Sequence, residues 1–186
     1  MINTSKPNLL LHCCCGPCAC YVIEQLSKEY SVSLLFYNPN IEPAEEYEKR
    51  KNELSKFLYK ASYSSKVHVI DCEYDNSAFS DRVSTLRDQP EKGHRCTVCF
   101  TLRLDETAKL AAKENYDIFT TTLSVSPRKN AELINEIGCQ VAEKHDVKYM
   151  EANFKKNDGY KKSIELSKKY NLYRQNYCGC IINTSP

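Results

Sequence analysis

The sequence predicts an α/β fold, a mostly parallel sheet flanked by helices, in a single domain spanning residues 1–186. Short apolar runs alternate with longer amphipathic stretches from one end of the chain to the other, the pattern left by strands connected through helices. With 41% hydrophobic and 27% charged residues, the composition is that of an ordinary globular chain long enough to bury one core. No internal repeat, low-complexity tract or linker divides it.

Asn8–His12 reads as a short buried strand and Ala19–Tyr30 as the first helix. Ser31–Tyr37 is strand-like until Asn38-Pro39-Asn40 breaks it. Ala44–Ala61 is charged and helical, with Tyr47, Leu54, Phe57 and Leu58 near helical spacing. Lys66–Asp71 is a third strand, and Cys99–Asn115 a helix with Leu102, Leu110 and Ala111 turned inward. Ile118–Leu123 follows as a fourth strand, then a helix from Arg128 to about His145. Val147–Phe154 is expected as a fifth strand and Lys161–Tyr170 as the last helix. Ligands of such sheets bind beyond the carboxyl ends of the strands. The cysteine-rich loop after the first strand and the Thr120–Arg128 segment after the fourth both fall there.

The net charge of +2 is uninformative, but its distribution is not: residues 144 to 186 hold nine Lys/Arg against four Asp/Glu. That basic end is either a solvated surface or a footprint for phosphates. The apolar run at Leu9–Leu11 is too short for an export signal, and nothing approaches a membrane span. A cytoplasmic, reducing location is therefore expected, with no membrane partner. Disulfide frameworks are rare there, and eleven cysteines then point to metal or redox chemistry.

Five of those cysteines fall within HCCCGPCAC, residues 12 to 20, which contains the thioredoxin tetrapeptide Cys15-Gly16-Pro17-Cys18. A Cys-x-x-Cys at a helix N-terminus gains thiolate character, so a thiol–disulfide oxidoreductase is a rival reading. Against it, Cys13 and Cys14 adjoin the motif, the chain has no Trp, and two further clusters go unexplained. These are Cys96-Thr97-Val98-Cys99 and Cys178-Gly179-Cys180, each of which presents two sulfurs to one point. Cys14, Cys15, Cys18, Cys96, Cys99, Cys178 and Cys180 make seven candidate ligands. A [4Fe–4S] cluster takes four thiolates, which leaves three for a second metal. Cys14 and Cys15, adjacent in an extended loop, are expected to point opposite ways and so could serve two centres. Cys72 and Cys139 stand alone as expected core thiols, and Cys13 and Cys20 are assigned to packing.

LLLHCCCGPC, FYNPNIEPAEEYEKR, RCTVCFTLRLDETAKLAA, FTTTLSVSPRKN and LYRQNYCGC together resemble the QueH-type epoxyqueuosine reductases, nearly end to end. The resemblance implies a nucleotide-binding α/β fold of the PP-loop (HUP-like) type and a [4Fe–4S] cluster beside one additional metal ion, expected to be iron. It also implies reduction of the epoxide of epoxyqueuosine to the cyclopentene of queuosine at the anticodon wobble nucleotide of tRNA, with an unidentified electron donor. Some relatives carry Asp as a ligand of the extra metal where this chain has Cys18, so Cys18 is expected to be a catalytic metal ligand. The Ser-Gly-Gly-x-Asp-Ser loop of PP-loop enzymes is absent, and ATP use is not expected. Tyr177 is either a proton donor or a stacked core tyrosine, and of the same two roles Tyr173 is read as core. Arg128, Lys129, Arg174 and Gln175 suit phosphate or base contacts, and Asn38 and Asn40 either line the pocket or shape a turn. Besides the oxidoreductase, an iron–sulfur tRNA thiolation enzyme and a metal-stabilised RNA-binding module stay open.

Overall fold

A computed structural model describes residues 6–61 and 67–180. Four parallel strands, β1 (Asn8–His12), β2 (Ser31–Leu35), β3 (His68–Ile70) and β4 (Ile118–Thr121), form one sheet in the order β3-β2-β1-β4. β1 is central, with Leu9 opposite both Val32 and Ile118. Its side chains alternate between the two faces, as the pleat requires. Leu9 and Leu11 pack with α1 (Gly16–Leu26), α2 (Ala44–Lys60) and α6 (Gly159–Lys169); Leu10 packs with α4 (His94–Lys113) and α5 (Ala131–His145). The sheet is thus parallel and covered on both faces, as the apolar runs predict.

Several boundaries differ from those read in the sequence, each for a local reason. α1 starts at Gly16, because Pro17 fits the first turn of a helix, where a missing N–H costs nothing. α4 starts at His94 and so takes in both Cys96 and Cys99. α5 starts only at Ala131, where the Asn130 side chain accepts from the amides of Glu132 and Leu133. β4 stops at Thr121 and passes into a 3₁₀ turn over Thr122–Val125. The expected fifth strand does not form. Only Tyr149 bridges to Phe119, and the Tyr149 ring lies instead in the notch that Gly138 leaves on α5. A short helix α3 (Ser77–Ser80) was not foreseen, and Lys66, expected in the third strand, lies outside the described residues.

The carboxyl edge of the sheet is fastened by His12. This buried imidazole lies 2.9 Å from Thr121 Oγ1 and 3.0 Å from Tyr37 O. Thr121 Oγ1 already accepts from the Leu123 amide, so its hydroxyl donates to His12 Nδ1, and Nε2–H donates to the Tyr37 carbonyl. Burial, reinforced by the nearby Arg103 charge, lowers the His12 pKa to about 4 and keeps the ring neutral.

Two stability predictions follow from the packing. A Cβ at Gly159 would stand 1.9 Å from Phe154 O and 2.7 Å from the Tyr21 ring. Gly159→Ala is therefore expected to cost about 1–3 kcal/mol in denaturant unfolding. On the opposite face, Asp105 accepts from Lys144 at 2.8 Å and from His145 at 2.9 Å, tying α4 to α5. Partial burial opposes its charge, but the two partners outweigh it and hold the carboxyl below its usual range. The contribution is then present above the ordinary Asp pKa of about 4 and lost as pH falls through the lower folded value. Asp105→Asn should cost up to about 1 kcal/mol at neutral pH, with the difference from the parent closing in acid.

Candidate metal centre

After His12 the chain bends at Cys14, and Cys15 takes an extended conformation as the residue capping α1. That bend overturns the expectation that Cys14 and Cys15 point opposite ways. Their sulfurs are 3.9 Å apart, and with Cys18, one turn into α1, all three lie within 4.8 Å of one another. Thr122 fixes Cys14 from the 3₁₀ turn after β4: its Oγ1 accepts from the Cys14 amide at 3.1 Å and donates to Cys14 Sγ at 3.4 Å. The three thiols share charge unequally. Cys14 is held well below the usual thiol pKa by hydrogen bonds from Cys15 and Cys18. Donating to Cys14 pushes Cys15 up to about 12 and Cys18 well above the ordinary value.

The other four thiols form a second group. The first two turns of α4 present Cys96 and Cys99, which line a cavity of 230 Å³ together with Cys178 and Cys180. Burial pushes Cys99 up to about 12 against the lowering pull of Arg103. The Cys178–Cys180 loop is held from α2 by Arg50, which is 2% exposed. Its Nη1 and Nη2 donate to the carbonyls of Cys178 (3.0 Å) and Tyr177 (3.3 Å), its Nε pairs with Glu46 at 2.7 Å, and its guanidinium covers the Tyr177 ring. Gly179 adopts φ +120, and a Cβ there would meet Ile41 at 3.0 Å and Arg50 at 3.1 Å. Only glycine lets the two flanking cysteines turn this tightly against α2.

A second cavity, of 250 Å³, adjoins the first. Cys14, Cys18, Asn38, Asn40, Arg174 and Gln175 line it, and it shares Arg128, Lys129, Tyr177 and Cys178 with its neighbour. The seven predicted ligands thus meet at one edge of the sheet, as a trio and a quartet with Cys178 between them. Asn38 Nδ2 donates to Cys13 O at 2.9 Å, leaving Oδ1 buried and unpartnered; both side-chain polar atoms of Asn40 and Oε1 of Gln175 are likewise buried without a partner. Lys129 is half-buried, and although burial opposes its charge, the thiols of Cys178, Cys14 and Cys18 raise its pKa on balance. Arg174 is tied to α6 through Ser163 O (3.3 Å) and Ser167 Oγ (2.8 Å), whereas Arg128 is exposed at the rim. The Tyr177 hydroxyl donates to Glu42 O at 3.0 Å, and burial raises its pKa. Tyr173 lies away from both cavities, its ring under Lys49.

Arg103 was not foreseen. It lies one turn beyond Cys99 on α4, 2% exposed, and lines the second cavity. The sequence held a usable signal, since Cys96, Cys99 and Arg103 fall at i, i+3 and i+7 on one helix face. Among the thiols left out of the ligand set, Cys13 and Cys20 are buried in the core. Cys72 is partly buried beside it, and neither Cys72 nor Cys139 lines a cysteine cavity. Cys139 corrects the core assignment: it is exposed, because α5 buries Ile134, Ile137, Gly138 and Val141 and turns the adjacent position to solvent.

Among the described residues no helix is long and apolar enough to cross a membrane. The sequence model of the family described as Epoxyqueuosine reductase QueH matches residues 9–185. Curated relatives of that same name include one from Staphylococcus epidermidis, 41% identical over 180 residues, covering 95% of this chain and 76% of the relative. The Streptococcus pyogenes relative is 38% identical over 178 residues, 95% of this chain and 70% of the relative. That of Thermotoga maritima is 36% identical over 175 residues, 94% of this chain and 89% of the relative. The matched span runs from β1 through the final cysteine pair and so takes in every thiol of the trio and the quartet. On that extent of likeness, the chain belongs to the QueH family of epoxyqueuosine reductases.

Proposed function

We propose that this chain is a cytoplasmic, single-domain epoxyqueuosine reductase of PP-loop-like fold, acting over residues 1–186 on tRNA that carries epoxyqueuosine at the wobble position. The observation that carries the reading is the grouping of Cys14, Cys15 and Cys18 within 4.8 Å at a cavity adjoining the one that Cys96, Cys99, Cys178 and Cys180 line, in a chain of the QueH family. The donor sets fit metals. A tetrahedral ion with metal–sulfur bonds of about 2.3 Å spaces its sulfurs about 3.8 Å apart, and the trio already lies within 4.8 Å. Four thiols on one cavity are the number a [4Fe–4S] cluster takes. Cys96, Cys99, Cys178 and Cys180 would hold the cluster, and Cys14, Cys15 and Cys18 the additional metal, for which iron is the expected occupant. When bound, the two would supply electrons singly and an electron-pair acceptor for the epoxide oxygen.

The reaction breaks both C–O bonds of the epoxide, takes two electrons and two protons, and releases water. The chain's own residues hold the substrate and manage protons. Asn38, Asn40 and Gln175 offer unsatisfied amide groups to a hydroxylated ring. Tyr177 stays protonated at neutral pH and walls both cavities, and it serves as proton donor by turning its hydroxyl from the Glu42 carbonyl to the substrate. Tyr160, under the Arg174 guanidinium, stands at the wall of the second cavity, and Lys156, Lys161 and Lys162 are exposed around it on and before α6. These cations suit the phosphates of an anticodon loop, which is already single-stranded and presents its bases at little cost. The electrons come from an electron donor still to be identified.

Two sets of variants test this. After anaerobic reconstitution, Cys99→Ala should lose cluster absorbance and inorganic sulfide. Cys18→Ala should keep both yet fail to turn over epoxyqueuosine-containing tRNA, and Cys18→Asp should regain measurable activity. Loss of the cluster in Cys18→Ala would instead assign this thiol to the cluster. For the tRNA, each phosphate contact neutralised contributes a slope of roughly 0.7–0.9 in log K against log salt. Replacing Lys156, Lys161 and Lys162 by Gln should weaken tRNA binding and flatten its salt dependence by about 2 to 3 such contacts, with iron content unchanged. Salt-independent binding would leave the basic end as plain solvated surface.

A further inference from the structure

Arg103 has an N–H that the folded chain does not use. Its Nε donates to Cys99 O at 3.2 Å, which holds the guanidinium against its own helix. Its Nη2 is buried and has no hydrogen-bond partner, and Arg103 as a residue lines the cavity that Cys14 and Cys18 also line. An unsatisfied buried donor costs on the order of 1–3 kcal/mol, more when charged. A cation kept in that condition is expected to meet its acceptor in a ligand. The orphaned atoms around it describe that ligand. Asn38 Oδ1 and Gln175 Oε1 are acceptors, and Asn40 offers one acceptor and one donor. A phosphate would bring only acceptors to these amide oxygens. A carbocycle bearing hydroxyls brings donors to them, and an ether oxygen beside the hydroxyls suits Arg103.

Resting on the reductase reading, we propose that Arg103 is a catalytic residue whose Nη2–H donates to the epoxide oxygen and stabilises the charge that builds there as the C–O bonds break. The guanidinium stays protonated throughout and is not a proton source. Two electrons come from the reductant of the reaction, a one-electron carrier or dithionite in vitro. Two protons, one through Tyr177 and one from solvent, leave with the oxygen as water, and a double bond forms between the two ring carbons as both C–O bonds break. A fixed donor aimed at developing charge needs no reorganisation during the step, which is why it acts on turnover more than on overall affinity. The alternative role, charge compensation of the surrounding thiolates alone, predicts different measurements.

The test compares reconstituted parent, Arg103→Met and Arg103→Lys in four readings: iron and sulfide content, turnover of epoxyqueuosine-containing tRNA, and binding of substrate tRNA and of product tRNA. Arg103→Met should retain its iron and sulfide and bind product tRNA as the parent does, since the product lacks the oxygen. Substrate tRNA should bind more weakly, and turnover should fall about 10²–10³-fold, the usual loss of one such donor. Arg103→Lys keeps the charge but not the fork and should remain at least about tenfold slow. Should Arg103→Met lose its iron, shift both tRNAs equally, or turn over substrate tRNA as the parent does, the assignment is overturned. Full recovery in Arg103→Lys also overturns it, because diffuse charge would then suffice. A parent protein that binds iron but never reduces this tRNA is a different failure and removes the reductase reading itself.

Discussion

Arg50 is the constraint on which the site depends. Its guanidinium is buried beneath the C-terminal loop and reaches carbonyls 127 and 128 residues away in sequence. A buried charge is tolerable only when paired and hydrogen-bonded, and Arg50 meets that condition by gripping Glu46, Tyr177 and Cys178 together. The grip holds Cys178 and Cys180 against the first two turns of α4, where Cys96 and Cys99 line the same cavity. With the loop released, the quartet would lose two of its sulfurs, and the cavity holding the orphaned amides would lose the wall made by Gln175, Tyr177 and Cys178.

Electrostatics then divides the labour at the sheet edge. Arg103 and Lys129 are placed among thiols, and their positive charge is sustained by the sulfurs of Cys14 and Cys178 in spite of burial. His12 sits close to both cations, and its neutral ring avoids adding a third. The same neutrality lets one imidazole accept from Thr121 and donate to Tyr37, so that β1, β4 and the segment after β2 end in register. The thiol trio is consequently mounted at a hydrogen-bonded edge of the sheet, and its spacing is compatible with a metal, whose thiol ligands deprotonate on binding.

Local signals determined more of this protein than its modest length suggests. Apolar runs of strand length between amphipathic stretches determined a parallel, doubly covered sheet, because burial on both faces leaves no polar alternation to read. Spacing within HCCCGPC, RCTVC and CGC determined that each cluster could present its sulfurs together, since helix and turn geometry act over a few residues. Those same local rules misplaced Val147–Phe154, whose apolar content serves contacts with α5 and β4 rather than a ladder, and Cys139, whose neighbours and not itself face the core.

Tertiary structure alone decided how the seven thiols divide. That Cys14 and Cys15 share a side depends on the bend forced between β1 and the start of α1, with Thr122 of another segment pinning Cys14. That Cys178 stands between trio and quartet depends on Arg50, and that Arg103 keeps an unsatisfied N–H depends on which atoms the fold fails to bring to it. A residue pattern encodes the face a side chain takes within its own element. It does not encode the partner met across the molecule, because that partner is set by packing among elements far apart along the chain.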